Sequence, residues 1–462
     1  VVADLAREVP TVTNGGISRD GTRVTYRLRP GVRWSDGTIL TSRDVAFTYR
    51  AILNPANTIP SRYGYDRVAG VDTPNDRTVV VRLKRSYSPI LSYFFGGDSN
   101  YPILPSHLLS GLPNLNHAAY NDVPVGSGPF AFVRWAHGDY IAATANPSYF
   151  AGRPALDQIS LRFLHDSSTT VAQLTTREVD ATFFADVTQI AMLRAIPNRR
   201  IVVTPVPYFY ALIFNVTDPV LKDRPFRRAF ALAIDRSALV NKVTHGLYDA
   251  DTGMRGLFTW AFDPHAGNVR YDPHEAATLL TADGWIPGLD GIRVKRGRRL
   301  EIGLALRTGM EVDTDFATLI AAQERAVGID VSLKQYAREQ FLAIAGPLSQ
   351  GRFQVGLYGY QSTYDPDVSW LFACNQRGPH GFNDARYCNA AVDRALNDAA
   401  ASFDRSRRLR DYRFVQRQLV TDLPLDFLCQ ISEIDVIPSR LRGYDPPLLS
   451  PFNSVARWRL RP

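Results

Sequence analysis

Between residues 200 and 360 the hydrophobic period changes repeatedly, and that alternation restricts the chain to an α/β architecture. IVVTPVPYFYALIFNV at 201–216 is strand-rich, whereas DRPFRRAFALAIDRSALVNKV at 223–243 has helical spacing. Pro225 suits an early helical turn, and Phe226, Phe230 and Ala233 recur on one apolar face. Asp235 is placed to cap a following turn or to start a second helix. LEIGLAL at 300–306 reads as another strand, followed by a helix near 314–327. Gly328 then stops that helix before the strand IDVSL, and a further strand is expected at 353–358. These units predict an α/β lobe rather than a pure β barrel.

Upstream, Asp20–Gly21 marks a turn, after which Val24, Tyr26 and Leu28 alternate with polar residues as in a half-buried strand. Asp36–Gly37 marks another turn. Thr41 and Asp44 fit a capping box ahead of a helix at 42–52, since hydroxyl and carboxylate can satisfy opposite orphan N–H groups. A hairpin is expected at 68–84, bent at Asn75–Asp76, with Val79, Val81 and Leu83 on its buried face. PVGSGPF ends in a restrained turn at Gly126, Gly128 and Pro129, leading into sheet strands at 130–145 and 156–164. It lacks the lysine and hydroxyl of a phosphate-binding loop. Residues 402–421 form a basic amphipathic helix, with Leu409, Tyr412, Val415 and Leu419 inward and the arginines in water.

A chain of 462 residues exceeds one ordinary core and predicts two or three domains. Its 53 basic and 45 acidic residues give a net charge of +8, with cations spread along the chain, so no nucleic-acid groove is expected. No apolar run is long enough to cross a bilayer as a helix. The start VVADLAREVP has no basic region followed by a hydrophobic secretory core, and it leaves export undecided because a signal can be removed. Cys374, Cys388 and Cys429 are an odd number, and spacing alone leaves their pairing open.

No coherent reaction centre emerges. Ser127, His137 and either Asp139 or Asp157 make a hydrolase triad only on paper, because Gly-Ser-Gly is not a nucleophile elbow. His265 and His274, with Asp263, Asp272 and Glu275 nearby, lack any compact metal-ligand spacing and are read as solvated loops. No catalytic residue, metal site or cofactor is therefore expected.

In combination, YRLRPGVRWSDGTILTSRDVAFTY at 26–49, VGSGPFAFVRWAHGDYIAATANPSYFAGRPALDQI at 125–159, REVDA at 177–181, NVTDPVLKDRPFRRAFALAIDRSALV at 215–240, AAQERAVGIDVSL at 321–333 and YDPDVSWLF at 364–372 resemble the bacterial family 5 solute-binding proteins. That group contains oligopeptide, dipeptide and nickel binders. The resemblance spans essentially the whole chain. It implies a bilobed periplasmic-binding-protein type II fold with an additional subdomain, a Venus-flytrap architecture. The expected division is an extra subdomain at 1–124, the main part of lobe 1 at 125–214 and 431–462, and lobe 2 at 215–430.

It also implies an extracytoplasmic receptor, periplasmic or lipid-anchored at the cell surface in its full-length precursor. Such a receptor is monomeric and non-catalytic, and it delivers solute to the permease subunits of an ABC importer. Relatives usually carry several dozen residues before the YRLR-like strand, supplying an initial strand; without it, a sheet edge is exposed unless another segment covers it. The bridge Cys374–Cys388, with Cys429 buried and free, follows from the same resemblance.

Peptide capture needs an elongated cleft that pairs backbone groups and fixes the termini by charge. The strand-ending segments 206–215 and 357–370 are the expected cleft walls, with Tyr208, Tyr210, Asn215, Tyr360, Ser362, Tyr364 and Trp370 as ligand-contacting residues. Arg377 is expected to counter a ligand carboxylate. Many peptide-binding relatives have an acidic residue three positions before the aspartate of an Asp-Pro pair, where it holds the peptide ammonium. Here that position is Ser362, before Asp365–Pro366, which leaves a modified peptide, a nickel chelate or another polar solute open. The same reading leaves Asp367 exposed, and Trp34 and Trp135 packed.

Overall fold

The computed structural model describes residues 3–59, 61–96, 101–164, 166–250, 253–378, 381–446 and 450–461. An amino-terminal subdomain comes first. Strand β1 (Arg23–Arg27) pairs antiparallel with β3 (Thr78–Leu83), which also pairs with β2 (Val68–Asn75). Helix α1 (Ser42–Leu53) starts as the sequence requires, with the Thr41 side chain accepting at the helix start and the Asp44 carboxylate accepting the Thr41 N–H at 2.7 Å. Val24, Val79 and Val81 pack with Trp34, which is fully enclosed as expected.

Next come β4 (Phe130–Ala136), β5 (Tyr140–Ala145) and β6 (Gln158–Arg162) in an antiparallel sheet. Trp135 departs from expectation here: on β4 it is 37% exposed and stacks on His137, centroids 4.2 Å apart, because the sheet face it stands on is not covered.

The chain then enters its largest sheet. Strand β7 (Arg199–Phe214) lies beside β8 (Glu301–Arg307), β9 (Asp330–Tyr336), β10 (Val355–Gln361) and β11 (Leu425–Pro438), in the order β9-β8-β10-β7-β11. Between β8 and β9 runs the helix Glu311–Ala326, and Gly328 at φ +91° turns the chain back. The two strands are parallel, as a β-helix-β crossover dictates. Ile302, Leu304 and Leu306 bury one face against Phe316 and Ile320, each side chain contributing roughly 1.5–3 kcal/mol over exposure. Phe209, Ala211 and Ile213 of β7 bury the opposite face with Tyr412, Val415 and Leu419.

Those last three lie on the helix Arg405–Asp422, whose arginines are not all in water. Arg408 is buried, with its guanidinium 2.5 Å from the Asp365 carboxylate, because that carboxylate is itself enclosed.

Strands β7 and β11 are far longer than their neighbours. Their pairing continues from Leu425↔Ile213 to Pro438↔Arg199, beyond the five-stranded sheet, with a register shift between Gln430 and Ser432. A two-stranded ribbon therefore joins this body to the second one, where Ile437, Tyr444 and Trp458 pack with residues of β4 and β6. The arrangement is bilobed. The positions 214/215 and 430/431 fall at the end of β7 and inside β11, respectively.

Candidate functional site

Strands β8, β9 and β10 all run toward the ribbon, so their carboxyl ends line the edge of the large sheet that faces the other lobe. The register sets the residues there: Tyr336 lies beside Arg307, Tyr360 beside Phe209, and Gln361 beside Tyr208. In open α/β sheets this edge is where ligands bind. The expected walls 206–215 and 357–370 thus adjoin through the β7–β10 ladder.

At the edge sits a buried network that the sequence reading missed. Arg307 forks onto Asp313, with Nε 2.8 Å from Oδ2 and Nη2 2.9 Å from Oδ1. Tyr210 donates its hydroxyl to Asp313 Oδ1 at 2.8 Å and accepts from Arg307 Nη2 at 3.3 Å. Burial is the first influence on both partners; on Arg307 the Asp313 carboxylate overrides it and holds the guanidinium more firmly protonated, while burial pushes the Tyr210 phenol up. Tyr210 is therefore a packing residue whose polar end is occupied. The available signal was an arginine at a strand end followed six residues later by an aspartate in the next helix.

Tyr208 is half-buried and lies across β10: a Cβ on Gly359 would come within 2.6 Å of its ring. Its phenol is pushed up to about 12, first by burial and then by Tyr358. Tyr358, also half-buried, was not among the expected residues; the Arg307 guanidinium carbon is 5.0 Å from its ring centroid.

Other expected residues serve the protein interior. Asn215 sits at the far end of β7, about 23 Å along the strand from Tyr208 by the usual rise, and donates to the carbonyls of Gly351 at 3.0 Å and Phe353 at 2.9 Å. Tyr360 donates to Asp384 at 2.7 Å, and burial raises that carboxyl to about 6. Ser362 donates to the Leu257 carbonyl at 3.0 Å while its N–H reaches the Pro207 carbonyl at 2.6 Å, leaving the residue 3% exposed. Tyr364 is half-buried, and its carbonyl accepts from Thr259. Trp370 packs between Tyr360 and Phe382. Arg377 is exposed and donates to the Cys374 carbonyl at 2.9 Å within its own turn.

Asp367 is buried rather than exposed, because Tyr63 and Tyr87 of the amino-terminal subdomain close over it. Cys374 and Cys388 are bridged, and Cys429 is buried and free.

The catalytic and metal alternatives are dispersed. His137 lies 3.3 Å from Asp122, and Asp157 pairs with Arg153. Asp263 is engaged by Arg417, Glu275 by Arg228, and Asp272 caps its helix. Among the described residues no group of three or more histidine, cysteine or acidic side chains could hold a metal ion. No helix among them is long and apolar enough to cross a membrane. Two cavities of about 430 and 450 Å³ lie elsewhere, one beside Arg7, Arg27 and Arg77, the other between the amino-terminal subdomain and residues 398–407. Neither contains an expected ligand-contacting residue.

Two lobes on a ribbon, with a polar strand-end edge between them, define a receptor that closes on a solute. Residues 1–379 match the model of bacterial extracellular solute-binding proteins, family 5, and the chain belongs to that family. It is 30% identical over 454 residues to Protein XP55 of Streptomyces lividans, covering 98% of this chain and 80% of that protein. It is 26% identical to the oligopeptide-binding protein AppA of Bacillus subtilis, covering 97% and 81%. Among solved structures, NikZ of Campylobacter jejuni in complex with Ni(L-His) superposes with a TM-score of 0.84 at 25% identity, covering 98% and 90%. Bacillus subtilis AppA with a nonapeptide gives 0.82 at 25%, covering 99% and 90%. The chain is thus an extracytoplasmic, non-catalytic solute-binding component of an ABC importer.

Proposed function

We propose that this receptor captures peptides or peptide-like solutes in the gap between its lobes, closes around them and hands them to the importer's permease. The observation that carries the reading is the similarity, over nearly the full chain, to a protein named for oligopeptide binding and solved with a nonapeptide. The exposed strand-end edge supports it, since Gln361, the exposed last residue of β10, and the half-buried Thr363 two residues on can meet an extended chain. Enclosure of the neutral Ser362 disfavours ligands whose affinity depends on a free ammonium at that position. In this reading the protein is monomeric and is either periplasmic or lipid-anchored at the cell surface. The lobes divide within the strands near 206–208 and 431–432, where Pro205, Pro207 and the register shift interrupt the ladder.

A nickel chelate is the second reading, favoured by the likeness to NikZ solved with Ni(L-His). Native mass spectrometry of gently purified protein, with ligand identification and metal analysis, separates the two. Released peptides support the first, and a single metal complex replaces it with the second. Turnover of a bound peptide would overturn both.

A further inference from the structure

The outward face of the amino-terminal sheet gathers arginines that the rest of the chain does not neutralise. Val24, Tyr26, Val79 and Val81 turn into the subdomain core, so the intervening residues of β1 and β3 turn outward. Residues 5–7 run antiparallel along the free edge of β1. The Ala6–Leu28 bridge fixes them there, with the Arg7 N–H on the Arg27 carbonyl at 2.8 Å. That register sets Arg7 directly opposite Arg27. Arg27 lies opposite Thr78, and Thr78 opposite Asn75. Residues directly opposite share a face, so these four make one row across the sheet.

A cavity of about 430 Å³ opens over this row, and Asp76, Arg77 and Leu28 complete its lining. Like charges directly opposite on neighbouring strands repel, and Arg7 and Arg27 are so placed. Acidic side chains offset this only in part. Glu8 holds Arg27 at 3.1 Å, and Asp76 is 3.4 Å from Arg43. Arg7 and Arg77 are exposed, and among the described residues neither guanidinium has a hydrogen-bond or ion-pair partner. The Thr78 hydroxyl and the Asn75 amide N–H have none either. Further along the same face Arg23 stands opposite Arg82, whose fork is taken by Asp72 at 2.9 and 3.1 Å. The cavity therefore offers two unspent guanidinium forks with a hydroxyl and an amide as further donors.

We propose that Arg7, Arg27 and Arg77, with Asn75 and Thr78, form a site for a phosphate group on the outer face of the amino-terminal subdomain. A phosphate presents several oxygens at once, which two planar forks and a hydroxyl can share through charge-assisted hydrogen bonds. The cavity has no residue in common with the strand-end edge of the large sheet, so this site is separate from the solute gap. It goes beyond solute capture and holds whichever solute is carried. Two sources supply the same chemistry: the headgroup of an anionic phospholipid at the membrane surface, and a free phosphate ester.

Two probes on the whole protein test the site and tell the sources apart. Calorimetry with glycerol phosphate reads the free ester. Flotation with vesicles of phosphatidylcholine, alone or mixed with phosphatidylglycerol, reads the headgroup. Wild type is compared with Arg7→Gln/Arg77→Gln and with Arg194→Gln/Arg298→Gln, which removes the same charge from exposed positions elsewhere. Equal melting temperatures are checked first, and the single variants Arg7→Gln and Arg77→Gln replace the pair if it melts lower. The expected result is binding of a phosphate-bearing probe by wild type and the control, weakened about 10- to 30-fold in Arg7→Gln/Arg77→Gln. Binding to mixed vesicles alone assigns the site to a lipid headgroup, and binding of glycerol phosphate assigns it to a free ester. Wild type that binds neither probe, or floats equally with both vesicles and ignores glycerol phosphate, overturns the site. So does equal weakening in the control, or none in Arg7→Gln/Arg77→Gln. Solute capture stands in each of these cases.

Discussion

Tyr87 donates its hydroxyl to Asp367 Oδ2 across 3.2 Å, joining the amino-terminal subdomain to the loop that follows β10. Tyr63 does the same at 3.1 Å, and Ser369 serves the other carboxylate oxygen through its N–H and hydroxyl. Nearby, the Ser88 N–H reaches the Ala400 carbonyl at 2.7 Å. The subdomain therefore contacts the lobe built on the large sheet, and this contact is expected to favour closed forms of the receptor. Hydrogen bonds to a charged group are worth about 1.5–3 kcal/mol each. Replacing both Tyr63 and Tyr87 by Phe should shift the equilibrium toward open forms and weaken solute binding by roughly tenfold or more. Small-angle scattering of the solute-free variant should show a larger radius of gyration. An unchanged radius and unchanged affinity would remove that role.

The Cys374–Cys388 bridge closes a loop of 14 residues' separation and holds the turn in which Arg377 caps the Cys374 carbonyl. Loops of about 15 residues give roughly 3 kcal/mol of cross-link stabilisation. A Cys374→Ser/Cys388→Ser double variant should lose about 2–4 kcal/mol in urea denaturation. Denatured, unreduced protein should take one thiol label, at Cys429, and three after reduction. Two or three labels without reduction would contradict the bridge.

Ser362 invites the replacement Ser362→Asp, which restores the acid typical of peptide-binding relatives. The surroundings argue against a gain. The serine hydroxyl donates to the Leu257 carbonyl and the site is closed to water, so an aspartate would set a carboxylate against an acceptor. An unpaired buried charge typically costs about 3–5 kcal/mol. The variant should melt lower and gain no affinity for free-amine peptides in calorimetry. A stable variant with tighter binding of such peptides would mean that the side chain reaches the ligand.

Much of the fold is legible locally, because caps and turns are satisfied by near neighbours. Thr41 with Asp44, the Asn75–Asp76 bend, Pro225 at a helix start, Asp235 as a helix cap, and Gly328 at positive φ all appear where the residues require. The strands β7 and β10 were legible as segments for the same reason: strand-forming runs announce their own ends. The fate of single residues was not. Tyr210 meets Asp313 103 positions away, and Asp367 meets Tyr63 304 positions away, so neither partner is visible in a sequence window. Asn215 looked like a polar strand end at the gap, yet β7 runs the other way and carries it to the opposite edge.

The joining ribbon carries an acid pair whose titration should be measurable. Glu433 is 3% exposed, and neither carboxylate oxygen has a donor among the described residues. Asp435, two residues along the same face of β11, accepts from Tyr444 and from the Phe184 N–H. Burial first, and then the neighbouring Asp435 carboxylate, raises Glu433 to about 8. The folded state thus holds a proton that the unfolded chain releases near the ordinary glutamate value of 4.5. The Glu433 contribution to stability is complete below that value and is lost as pH rises toward 8. Glu433→Gln keeps the shape without the charge, so its stability relative to wild type should improve progressively between pH 5 and pH 8, on the order of the window set by these two values. Urea denaturation of both proteins at several pH values measures that difference. Curves that stay parallel across the window would show that Glu433 is ionised in the folded protein and finds a partner there.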